Sequence, residues 1–126
     1  MLLRIHQSGH LAELSEQGFR QVQDAIRYYK TLRQQLKAAL PFWPLGLSSF
    51  TDEWVALGMQ SEDGKMWLAV WRREGTQECC ELPMVGLKGK IIQGYPSTVQ
   101  HSATWENDVL TVTMPPRSAA IFEMMR

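Results

Sequence analysis

The sequence predicts a mainly β protein: an antiparallel, Greek-key-like β-sandwich of about seven to eight strands, preceded by one long N-terminal α-helix. Three observations point there. Apolar residues recur at spacings of three and four as far as Leu40, the period of a helix. Beyond Pro44 they alternate instead, the period of a strand. Turn-forming pairs such as Asp63-Gly64, Asn107-Asp108 and Pro115-Pro116 then cut the chain into short segments.

The helix is expected to start at Ser15, whose hydroxyl suits an N-cap. Leu14 and Phe19 sit where a hydrophobic staple places its two residues. Phe19, Val22, Ile26, Tyr29, Leu32, Leu36 and Leu40 form one stripe, with Arg20, Asp24, Arg27, Lys30 and Lys37 mostly off it. Pro41 and Pro44 are expected to stop the helix, giving a rod of about 25 residues and roughly 37 Å. The 14 residues before the helix are too few to cover such a stripe.

After Pro44, strands are expected at Glu53–Gln60, Met66–Arg73, Gln77–Leu82, Lys90–Gly94, Val99–Trp105, Val109–Met114 and Ala119–Met124. Asp63-Gly64 suggests a two-residue type I′ turn. That turn would pair Glu62 with Lys65, Met59 with Leu68 and Leu57 with Val70. One face would then carry Val55, Leu57, Met59, Leu68 and Val70. The other would carry Trp54, Ala56, Gly58, Trp67, Ala69 and Trp71. A hairpin apolar on both faces is covered on both faces.

The composition narrows the function. A length of 126 residues with 44% hydrophobic content suits one domain, with room for a fragment of a second. Thirteen basic residues balance thirteen acidic ones, so no net field draws the chain to nucleic acid or to an anionic membrane. No apolar run approaches a spanning helix, and the apolar start is too short for a signal-peptide core. The expectation is a cytoplasmic protein. Cys79 and Cys80 are adjacent; in a strand they point to opposite faces and are expected as reduced structural thiols.

The chemistry-bearing residues are sparse. Glycoside hydrolysis needs two facing carboxylates, yet Asp52, Glu53, Glu62, Asp63, Glu106 and Asp108 all fall at strand ends and turns. His6 and His10 are four apart, but Ser8-Gly9 breaks any helix between them, and no further ligand completes a metal set. Gly86, Gly89 and Gly94 make no phosphate-cradling motif, so no cofactor or metal is expected. Aromatic residues remain: Trp43, Trp54, Trp67, Trp71, Trp105 and Tyr95. Tryptophans fill cores and interfaces, and they also stack on sugar rings.

The order Arg4-Ile5-His6-Gln7-Ser8-Gly9-His10-Leu11, Leu14-Ser15-Glu16 and Ile26-Arg27-Tyr28-Tyr29-Lys30-Thr31-Leu32-Arg33 resembles the end of the catalytic barrel in glycoside hydrolase family 36, the α-galactosidases. Pro41 to Gly46 and Trp67 to Trp71 are similar to one branch of that family. The resemblance implies that residues 1–44 are the last strand end, loop and helix of a (β/α)8-type catalytic domain. Residues 45–126 would be its C-terminal antiparallel β-sandwich. It implies a parent enzyme that hydrolyses α-galactosides with retention, using two aspartates on earlier barrel strands. Those strands are absent here, so the chain alone is expected to be inactive. Ser8 and Gly9 would lie near the sugar pocket of a complete barrel. Phe19, Val22, Ile26, Tyr29, Trp54, Trp67 and Trp71 would be interface residues facing the barrel. Two readings from other classes stand beside it: a carbohydrate-binding module, and an interaction domain that forms a homodimer through the helix.

Overall fold

A computed structural model describes residues 9–97 and 101–125. The chain divides into two compact units, Met1–Ala39 and Leu40–Arg126.

The first unit is helical. After a 3-10 turn at Leu11–Glu13, helix α1 runs over Glu16–Leu36. Ser15 caps it as expected, its Oγ accepting a hydrogen bond from the Gly18 N–H at 3.1 Å. Exposed ion pairs Glu16–Arg20 and Asp24–Arg27 lie along the first turns. Arg33 in the last turn opposes the negative end of the helix dipole. The helix ends one turn earlier than its stripe suggested. Ala38 and Ala39 donate to the carbonyls of Gln35 and Leu36, three residues back. Leu40 precedes a proline, which disfavours helical geometry at Leu40 itself.

The second unit is a β-sandwich with eight strands among the described residues. Strands β1 (Leu40–Phe42), β2 (Trp54–Gln60), β3 (Lys65–Arg72), β8 (Ser118–Met125) and β5 (Lys90–Tyr95) make one antiparallel sheet in the order β1-β2-β3-β8-β5. Strands β4 (Cys79–Pro83), β7 (Val109–Thr113) and β6 (Ser102–Glu106) make the other, in the order β4-β7-β6. The fold class is therefore the one predicted, with β1 as an addition. Pro41, expected to stop a helix, is the middle residue of β1. Proline lacks a donor and is tolerated on an edge strand, and β1 is an edge. The strand expected at Val99 is described from Ser102; Val99 itself lies outside the described residues.

The hairpin β2–β3 corrects the expected register by one residue. Gln60 pairs with Met66, Met59 with Trp67 and Leu57 with Ala69. The loop closes between Ser61 and Lys65, with Ser61 N–H donating to Lys65 O at 2.8 Å and Gly64 N–H to Ser61 O at 3.1 Å. Within this loop only Gly64 is left-handed, at φ +85°. This is a three-residue loop of a type I turn followed by a left-handed glycine. Asp63 stabilises it by accepting from the Ser61 hydroxyl and from the Lys65 N–H. The ordinary type I′ turn of the molecule is at Asn107-Asp108, where φ is +48° and +62° and Glu106 pairs with Val109.

The slip re-sorts the tryptophans. Trp54, Ala56, Met66, Leu68 and Val70 face the second sheet and join Phe122, Met124, Leu82, Leu110 and Val112 in one core. Gly58 shares that face by alternation, and the Phe42 ring occupies the place a Cβ would take there. Val55, Leu57, Met59, Trp67, Ala69, Trp71 and Ile121 form the opposite, outward face of the large sheet. Both faces are apolar, as predicted, but Trp54 has changed sides. The small sheet alternates cleanly, with Cys80, Leu82, Leu110 and Val112 inward and Cys79, Glu81 and Thr113 outward.

Gly64→Val is expected to cost about 1–2 kcal/mol, because a β-branched residue must then hold a left-handed conformation. Urea unfolding checks this. Gly75 is no neutral control, since a Cβ there would fall on the Glu53 carboxylate.

Candidate functional site

The described residues hold no cluster of three or more metal-ligating groups, and no helix among them is long and apolar enough to cross a membrane. Of the two expected sugar-pocket residues, Ser8 lies outside the described residues, with Arg4–Gln7 beside it. Gly9 is left-handed at φ +99° with open space around its Cα.

The interface residues divide between the two units. Phe19, Val22, Ile26 and Tyr29 lie on α1, with Phe19 and Ile26 the most exposed, at 42% and 36%. Trp54 is inside the sandwich, its indole N–H donating to Gln77 O at 3.2 Å. Trp67 and Trp71 share the outward face. Lys65 Nζ stands 5.7 Å from the centre of the Trp67 ring and pairs with Glu123 at 3.1 Å.

Two features escaped sequence reasoning. The first is a polar pin at one end of the sandwich. Arg72 points inward and is buried. Its guanidinium donates to the carbonyls of Met114 and Gly75, lies 3.7 Å from Glu53, and stands 5.6 Å from the Trp54 ring centre. Glu53 in turn accepts from the Gln77 N–H at 2.9 Å. A buried cation survives only when such acceptors surround it. Nothing in a strand pattern marks an arginine as inward until the register is known.

The second is a cleft of about 650 Å³ at the same end, on the outward side. Val55, Trp71 and Ala119 lie side by side across three strands to form its apolar part. Arg73, Glu74 and Arg117 line the rest. Arg73 is fixed by the loop before β2, its Nη1 donating to the carbonyls of Phe50 at 2.6 Å, Asp52 at 3.2 Å and Ser49 at 3.3 Å. That loop is tied internally, as Asp52 accepts from both the N–H and the hydroxyl of Ser49. These bonds hold the Asp52 carboxyl below its ordinary pKa. The loop nevertheless presents Leu47 and Phe50 to solvent, 84% and 98% exposed. Arg117 adopts φ +55°, its N–H donates to Arg73 O at 3.4 Å, and its Nε meets Glu74 at 3.3 Å.

The cysteines are as the sequence suggested, on opposite faces of β4, with Cys79 exposed and Cys80 buried. Burial, aided by the neighbouring Cys79, Glu81 and Glu53, pushes the Cys80 thiol up to about 11.

Compared with protein-family models, with curated proteins and with solved structures, the chain matches none.

Iodoacetamide at neutral pH is expected to label Cys79 and to spare Cys80 until the protein unfolds, because the thiolate is the nucleophile. Mass spectrometry of the labelled peptides checks this. Since the folded thiol titrates above its ordinary 9.0, the unfolded chain releases this proton first. The contribution of Cys80 to stability is therefore whole below pH 9.0 and falls as pH rises towards about 11.

Proposed function

We propose that this chain is a non-catalytic C-terminal β-sandwich domain of an α-galactosidase-like glycoside hydrolase, packing against the catalytic barrel of its parent. The observation that carries this reading is the apolar loop before β2. Leu47 and Phe50 are almost wholly exposed on a loop that Arg73 and Asp52 hold by five hydrogen bonds. Large apolar side chains held rigidly towards solvent mark a contact surface.

The chemistry of the cleft also favours a non-catalytic role. It has one carboxylate, Glu74, engaged by Arg117, where glycoside hydrolysis uses two facing each other across the scissile bond. The purified chain is expected to release no nitrophenol from a nitrophenyl α-galactoside above the buffer rate; release that survives repurification overturns this. The parentage is tested by the DNA upstream of the coding region. A barrel sequence carrying the paired aspartates is expected there, and unrelated sequence removes the reading.

A second reading, association of two copies through α1, is favoured by the exposure of Phe19 and Ile26 on the helix stripe. Under it, sedimentation at micromolar concentration gives a dimer, and Val22→Glu with Ile26→Lys gives a monomer, because each charge would be buried in the seam. A monomeric wild-type chain ends this reading.

A further inference from the structure

We infer that the cleft beside Trp71 is a binding site for an acidic saccharide, a pyranose ring carrying a carboxylate. The cleft belongs to the sandwich alone, so the inference stands whether or not the parent is a hydrolase.

The apolar part suits a sugar ring. Trp71 lies between Val55 on β2 and Ala119 on β8, and the small Ala119 side chain leaves the ground beside the indole open. The face of an aromatic ring is electron-rich and attracts the slightly positive C–H groups of a flat sugar face. Ligand sites combine such an apolar surface with a few fixed polar groups, and the fixed groups are present. Arg73 is clamped by three carbonyls. The Arg117 backbone is placed by a left-handed conformation and by its N–H bond to Arg73 O. The turn before it is closed by the Ser118 hydroxyl, which donates to Pro115 O. A non-glycine residue held at positive φ is uncommon and clusters at functional sites.

The charge decides the ligand class. Two guanidiniums, Arg73 and Arg117, stand against one carboxylate, Glu74. Arg72 also borders the cleft, but it is buried and donates through both terminal nitrogens to Met114 O and Gly75 O, whereas Arg73 meets its three carbonyls through Nη1 alone. Guanidinium presents a planar fork of donors that matches a carboxylate. The Glu74–Arg117 pair is exposed on both sides, at 75% and 77%, so it is a weak, displaceable contact. Glu74 then acts as a stand-in for the ligand carboxylate, which replaces it at Arg117.

The experiment is titration of the full chain with methyl glycosides of gluco-, galacto- and mannuronic acid, each beside its neutral hexose. The readout is the Trp71 indole N–H in nitrogen–proton correlation spectra, assigned from a Trp71→Phe sample. At least one acid is expected to shift that signal below about 10 mM, in the range of weak single-ring binding. Its neutral counterpart should bind about tenfold more weakly. Arg117→Gly suits the positive φ, so the fold is kept, and it is expected to weaken the acid about tenfold. Glu74→Gln is expected to tighten it severalfold by freeing Arg117. Three results overturn the inference: no acid moves the Trp71 signal, the neutral sugars bind as well as the acids, or Glu74→Gln weakens binding. The last would make Glu74 an acceptor for sugar hydroxyls.

Discussion

A slip of one residue between β2 and β3 would turn one strand inside out relative to the other, and the loop from Ser61 to Lys65 prevents it. Side chains alternate with a period of two, so register decides which set is buried. Gly64 at φ +85° closes a three-residue loop, while Asp63 accepts from the Ser61 hydroxyl and the Lys65 N–H. Those bonds hold the Asp63 carboxyl below its ordinary range, so the charged form belongs to the folded turn. With the register set, Met66, Leu68 and Val70 meet Phe122 and Met124 of β8 on one face. Trp67 and Trp71 are sent to the other. The core, the pin at Arg72 and the cleft at Trp71 all follow from this one choice.

The strand pattern was legible because period-two alternation survives in a sheet with one polar side. Strands β4 and β7 read correctly for that reason, with Cys79 and Cys80 on opposite faces of β4. The hairpin β2–β3 was legible only to within its register. When both faces are apolar, neither parity is penalised by the sequence, and Asp63-Gly64 fits a two-residue and a three-residue loop alike. Asn107-Asp108 lacks glycine yet adopts the type I′ geometry, since Asn and Asp tolerate the left-handed region. Pro41 was ambiguous in the same sense. A proline that ends a helix and a proline on an edge strand look identical until the neighbouring strand is known.

The cleft was less legible than the fold. Its residues come from β2, from the end of β3 and the two residues after it, and from the start of β8 and the residue before it, at positions from 55 to 119. They are brought together by β8 pairing with β3, a long-range event that no local window encodes. Trp71 was singled out, because an aromatic on an apolar face is conspicuous. Arg73, Glu74 and Arg117 were not, because isolated charges near turns are ordinary surface residues. The left-handed Arg117 is a property of the turn after Pro115-Pro116 and of the hydrogen bond to Arg73 O.

Arg72 explains why the exposed apolar loop and the cleft collect at one end of the sandwich. A guanidinium between two sheets must be matched by acceptors, or it costs several kcal/mol. Here the matching groups come from separate segments: Met114 at the end of β7, Gly75 after β3, and Glu53 before β2. Those three segments are thereby fixed relative to one another. Arg73, the residue just after β3, ties down the loop that carries Phe50, while its carbonyl receives the N–H of Arg117. One strand end thus anchors the interior, the exposed apolar loop and the wall of the cleft through two consecutive arginines. Lysine would not replace Arg72, which serves two separate carbonyl oxygens through two different nitrogens of one planar group.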